Sequence, residues 1–86
     1  MAEIACLGML VADTVGRPID ALPQKGTLGL IERIELHVGG CGANTSVALA
    51  RLGMPVALLG KVGGDGFGEY LTAALTAKGV DTRGVR

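Results

Sequence analysis

The chain has 86 residues, eight basic and eight acidic side chains, no formal net charge, and only two aromatic residues, Phe67 and Tyr70. Without a basic patch or interleaved aromatics the sequence gives no support to nucleic-acid binding, and no run approaches the ~20 apolar residues that a membrane-spanning helix requires. The length allows one domain or part of one.

Apolar residues make up 49% of the chain, charged residues 19%, and the mean hydropathy is +0.48. A chain this short buries only about 60–65% of its unfolded surface. The composition is therefore more apolar than a small free-standing domain needs, and it suits a segment whose faces are covered by further chain. Fifteen glycines against three prolines indicate many tight turns. Cys6 and Cys41 lie far apart and outside any CxxC spacing, which fits reduced thiols in a cytoplasmic protein.

In chain order, Ile4 to Val11 is a near-continuous apolar run and reads as a buried parallel strand. Glu3 before it and Asp13 after it distinguish it from a signal peptide. Gly8 within it marks a close approach of another backbone or a ligand. Residues 13–24, with Gly16, Pro18 and Pro23, read as loop, and the alternation Ile31 to Val38 places a half-wet strand within residues 27–38. Residues 42–52 read as a helix ended by Gly53 and Pro55, and Val56 to Val62 as a second buried strand. Asp65 is placed to cap a second helix. In that helix Phe67, Tyr70, Leu71, Ala74 and Leu75 form one apolar stripe, which Gly79 ends before a strand over 80–85. Alternating strands and helices predict an α/β fold with a parallel sheet, flanking helices, and a small β excursion before the first helix.

Two glycine clusters carry the chemistry: Gly39-Gly40-Cys41-Gly42-Ala43-Asn44 and Val62-Gly63-Gly64-Asp65-Gly66-Phe67-Gly68. Glycine lets backbone N–H groups crowd close to a polar ligand. Neither cluster is a dinucleotide fingerprint, because the third glycine of Gly40-x-Gly42-x-x fails at Thr45. Nor is there a P-loop, because Gly60-Lys61 is followed by Val62 and preceded by Pro55 at the required glycine. Read alone, the first cluster is equally well a tight turn that opens a helix, and for the second a glycine-rich turn with an Asp65 N-cap is the stronger reading.

Together with Ala50-Arg51-Leu52-Gly53, Leu59-Gly60-Lys61 and Lys78-Gly79-Val80-Asp81-Thr82, and upstream Gly8, Asp13 and Leu22-Pro23, the two clusters resemble the N-terminal part of the ribokinase-like (PfkB) family of carbohydrate and nucleoside kinases. The resemblance implies that residues 1–86 are the N-terminal part of a ribokinase-like kinase domain, with a β-lid over about 15–38 that closes on the sugar and forms a homo-oligomer contact. It implies that Asp13 accepts hydrogen bonds from sugar hydroxyls, that Gly39 and Gly40 let the sugar lie against the turn, and that Asn44 pairs with a further hydroxyl. Cys41 stands where ribokinases proper tend to have lysine, which weakens ribose as the substrate.

The family's catalytic aspartate comes late in the chain, in a Gly-x-Gly-Asp turn, and Gly63-Gly64-Asp65 matches the early motif instead. No catalytic base, cofactor-binding or metal-binding residue is therefore assigned here. ATP and Mg²⁺ belong to the C-terminal part of the family's fold. The expected parent activity is ATP-dependent phosphorylation of a sugar or nucleoside hydroxyl, with this segment inactive alone. His37 reads as a lid-strand residue and not a general base. The rival readings are a non-catalytic sugar-binding or oligomerisation module built on the lid strand, and a plain nucleotide-binding domain, against which the failed phosphate motifs count.

Overall fold

A computed structural model describes residues 2–86. Three short strands, β1 (Ile4–Leu7), β4 (Val56–Gly60) and β5 (Asp81–Val85), form a parallel sheet in the order β1-β4-β5. Between β1 and β4 come an antiparallel ribbon of β2 (Val11–Arg17) and β3 (Arg33–Gly39), then helix α1 (Cys41–Arg51). Helix α2 (Gly66–Ala77) joins β4 to β5. The expected α/β architecture, with a small β excursion before the first helix, is thus present.

Two parallel crossovers step the same way across this sheet. Right-handed crossovers therefore place α1 and α2 on one face. Burial agrees. Val56, Leu58 and Val80 pack with Ala43 of α1 and Leu75 of α2, flanked by Ile4 and Cys6. The alternate positions in register, Ala5, Leu7 and Leu59, face the other way, and Leu7 and Leu59 are 83% and 41% exposed. Parallel sheets ordinarily carry cover on both faces; in this segment only one face has it.

Both helices end alike. At α1, the N–H of Gly53 (φ 83°) donates to Ala50 O and that of Met54 to Leu49 O. At α2, the N–H of Gly79 (φ 91°) donates to Thr76 O and that of Val80 to Leu75 O. Each is a Schellman closure, with glycine where only a left-handed residue fits. Val80 then drops into the core against Leu75. At the other end of α2, the Asp65 carboxylate accepts the Gly68 N–H at 3.0 Å, as expected of a cap.

Four expectations need correction. The first apolar run is not one strand: β1 stops at Leu7, because at Gly8 the backbone lies against α1 and the chain then leaves the sheet. Residues 13–17 are not loop but the last five residues of β2, whose Val and Thr residues pair across to β3. Residues 27–32 are not strand. Gly26 (φ 80°) and the Thr27–Gln24 turn fold the chain back there, and pairing begins only at Arg33. In α2 the buried stripe narrows to Leu71 and Leu75: Phe67, in the first turn, is 54% exposed, and Tyr70 sends its hydroxyl to the Leu36 carbonyl of the ribbon at 3.0 Å. The ribbon projects from the sheet. The radius of gyration, 15.9 Å, accordingly exceeds the roughly 12 Å of a compact chain of this length.

Two predictions follow from this packing. A Cβ on Gly42 would lie 2.7–2.9 Å from the backbone of Gly8, whereas one on Gly66 would meet nothing within 4 Å. Gly42→Ala should lose about 1–3 kcal/mol in urea denaturation despite the better helix former, while Gly66→Ala should be neutral or stabilising. Equal stability of the two variants would contradict the close contact. The second concerns Asp81. Its carboxylate accepts from the Arg83 guanidinium (2.7 Å) and the Arg83 N–H (3.1 Å), and these bonds lower its pKa from 3.8 to about 2. A depressed folded pKa stabilises the native state above the unfolded value, and the contribution fades as pH falls from about 4 toward 2. Asp81→Asn should flatten the decline of Tm over that interval; parallel Tm–pH curves would refute it.

Candidate functional site

The ends of β1, β2 and β3 and the start of α1 meet at one junction. Gly8 follows β1, and its Cα and carbonyl lie so close to Gly42 that neither position has room for a side chain. The Met9 carbonyl accepts the Ala43 N–H at 3.1 Å, which uses one of the amides left free at a helix N-terminus. Gly40, the residue before α1, takes φ 94° and ψ 148°, and a Cβ there would lie 2.5 Å from Met9 O. Both strain and space thus demand glycine at position 40. The Gly40 carbonyl then accepts the Asn44 N–H at 2.9 Å and starts the helix. In open α/β sheets, ligands bind outside the carboxyl ends of the strands, where this junction lies.

Asp13 belongs to β2 and pairs in register with His37, while Val11 pairs with Gly39. These four side-chain positions share one face of the ribbon. Here the Asp13 carboxylate leans over Gly39 and fills the space a Cβ would need. Gly39 is buried and Asp13 exposed, so the carboxylate is presented at the surface on a bed of backbone. Further out on the same face, Glu35 receives three partners: Arg17 Nε at 3.0 Å, His37 Nε2 at 3.0 Å and Arg33 Nε at 3.3 Å. The His37 hydrogen bond, opposed by desolvation and aided by the Arg17 charge, holds the Glu35 carboxyl below its ordinary pKa.

Asn44 lies one turn into α1. It lines a cleft of about 210 Å³ with Val38, Val47, Ala48, Arg51 and Lys78. Val38 sits on the ribbon face opposite to Gly39, and Asp13 does not contribute to this cleft. The structure therefore joins Asp13, Gly39 and Gly40 at the junction and places Asn44 beside it, along α1. Sequence reading missed the Glu35 cluster, because Arg17 was assigned to loop; its spacing from Asp13 along an alternating strand was the available signal. Among the described residues no three His, Cys, Asp or Glu side chains converge as a metal-binding group, and no helix is long and apolar enough to cross a membrane.

The Asp13–Gly39 contact makes a testable prediction. Gly39→Ala should displace the carboxylate, and its stability cost should shrink in an Asp13→Ala background. A double-mutant cycle should give a coupling of at least about 0.5 kcal/mol. Strict additivity would show that the two positions do not meet.

The chain as a whole is similar to characterised proteins. The whole chain, residues 1–86, matches the model of the pfkB family of carbohydrate kinases. It is 40% identical over 82 residues to a putative sugar kinase of Pyrococcus horikoshii, covering 95% of this chain and 24% of that protein. The crystal structure of that protein in complex with ATP superposes with a TM-score of 0.76 over 95% of this chain and 25% of the other, at 39% identity. Ribokinase of Bacillus subtilis is 39% identical over 82 residues, covering 95% of this chain and 28% of the enzyme. Fructokinase-1 of Oryza sativa subsp. japonica is 51% identical over 69 residues, covering 78% and 21%. The chain thus spans about a quarter of the length of the curated relatives it matches. It belongs to the pfkB family of carbohydrate kinases.

Proposed function

We propose that this chain is the acceptor-binding, N-terminal part of a kinase that transfers the γ-phosphoryl group of ATP to a hydroxyl of a sugar or nucleoside. The observation that carries this reading is the Asp13 carboxylate laid over Gly39 at the carboxyl end of β1. A carboxylate accepts hydrogen bonds and donates none. Presented on bare backbone, it can take an O–H from an acceptor that lies flat on Gly39 and Gly40. Asn44 adds a group able both to donate and to accept.

Phosphoryl transfer depends on holding the acceptor oxygen in line and on neutralising charge on the phosphates. The residues described here serve the first need. We assign ATP, Mg²⁺ and the base to a C-terminal part of the kinase. The bare sheet face carrying Leu7 and Leu59 supports this division, since further elements packed there would complete a two-sided sheet.

The ribbon, residues 11–39, and its connecting loop would serve as the lid that shields the reaction from water. Leu22, Leu28 and Leu30 of that loop are 85–97% exposed, a patch that supports self-association through the lid. It also keeps open the reading of a non-catalytic oligomerisation module. Two unpaired thiols, Cys6 and Cys41, fit a cytoplasmic protein.

The 86-residue chain, given Mg-ATP and a panel of sugars and nucleosides, should release no ADP above background. Turnover would overturn the assignment of the base elsewhere. In the full-length kinase, Asp13→Ala should lower kcat/KM by at least about ten-fold, the value of a hydrogen bond to a charged group, with unchanged circular dichroism. Near-normal kcat/KM would remove Asp13 from the site.

A further inference from the structure

We infer that His37 is a second acceptor-positioning group, taking a hydroxyl next to the one that Asp13 takes. The inference rests on the kinase reading above and adds a residue to it.

His37 is the direct cross-strand partner of Asp13. Residues so paired project from the same face with Cβ atoms about 4.5–5.5 Å apart. The two side chains nevertheless diverge: Asp13 leans toward Gly39, while His37 turns along its own strand to Glu35. Among the described residues no hydrogen bond joins them. The imidazole, with 51% of its side chain exposed, thus stands beside the carboxylate on an open face.

The chemistry of this face selects a ligand. Glu35 only accepts, so His37 Nε2 donates to it at 3.0 Å. In the neutral ring that leaves Nδ1 as an acceptor. Asp13 is also an acceptor, so the pair calls for two O–H donors, as on adjacent carbons of a sugar. Glu35, held from both strands, is a positioning residue that fixes the ring through Nε2.

The test uses the full-length kinase, its preferred sugar and each mono-deoxy analogue of that sugar. His37→Ala should raise KM about ten-fold with kcat within about three-fold, the pattern of lost binding common to ground and transition states. It should also abolish the penalty that the wild type pays for one mono-deoxy analogue. His37→Gln should restore part of that discrimination, and Glu35→Gln should shift KM the same way by less. Unchanged KM and analogue preference in His37→Ala, alongside a crippled Asp13→Ala, would overturn the role of His37 and leave the kinase site standing. Unaffected kcat/KM in both variants would overturn the kinase reading itself.

Discussion

The contact of Gly8 with Gly42 is the constraint on which the rest of the molecule depends. Two backbones meet there with no side chain between them, and the Met9 carbonyl ties the junction to α1 through the Ala43 N–H. The contact stops β1 after four residues and sets where α1 begins relative to the sheet. Because β3 runs directly into Gly40 and α1, it also fixes where the ribbon leaves the body. Asp13 and Gly39 inherit their positions from that exit. A side chain at any of the glycines 8, 40 or 42 would move strand, helix and ribbon together, which is a larger consequence than its local clash.

Topology then explains the uneven cover of the sheet. Two crossovers of the same hand and direction can only pile helices on one side. Ile4, Val56 and Leu58 are hidden by them, while Leu7 and Leu59 remain in water. The 49% apolar composition is the sequence-level trace of this imbalance. The alternation is not in the sequence of β1 or β4, which reads apolar throughout, as expected of a strand meant for cover on both faces.

Punctuation made the helical part of the fold legible. Gly53 and Gly79 at left-handed closures and Asp65 at a cap are local chemistry, so α1, α2 and the strands between them could be placed within a residue or two. The ribbon was legible only on its β3 side. There, polar and apolar residues alternate toward Gly39. On the β2 side, Asp13, Gly16 and Arg17 carry poor strand propensity, and pairing with β3 overrides it. For the same reason the proposed site could be listed as residues but not seen as an arrangement. Resemblance singled out Asp13, Gly39, Gly40 and Asn44. That the Asp13 carboxylate occupies the missing Cβ of Gly39 depends on a register no local pattern encodes.

The ribbon also shows how one strand pair can serve two surroundings. Its Asp13 face is ionic, with Glu35 bridging the strands through Arg17 and Arg33. Its other face carries Ile34, Leu36 and Val38, and exposure falls along it from 68% at Ile34 to partial burial at Val38 beside α1. Packing therefore holds the root of the ribbon and leaves its tip free. The Tyr70 hydroxyl grips the Leu36 carbonyl between these two regimes. A two-stranded ribbon has little stability of its own in water, so this anchor and the packed root decide how far out it stays ordered. Asp13 and His37 lie on the root side of that point, at register with Val38 and its neighbours, and Arg17 and Arg33 lie beyond it. The part of the polar face that carries Asp13 is thus the part that packing holds.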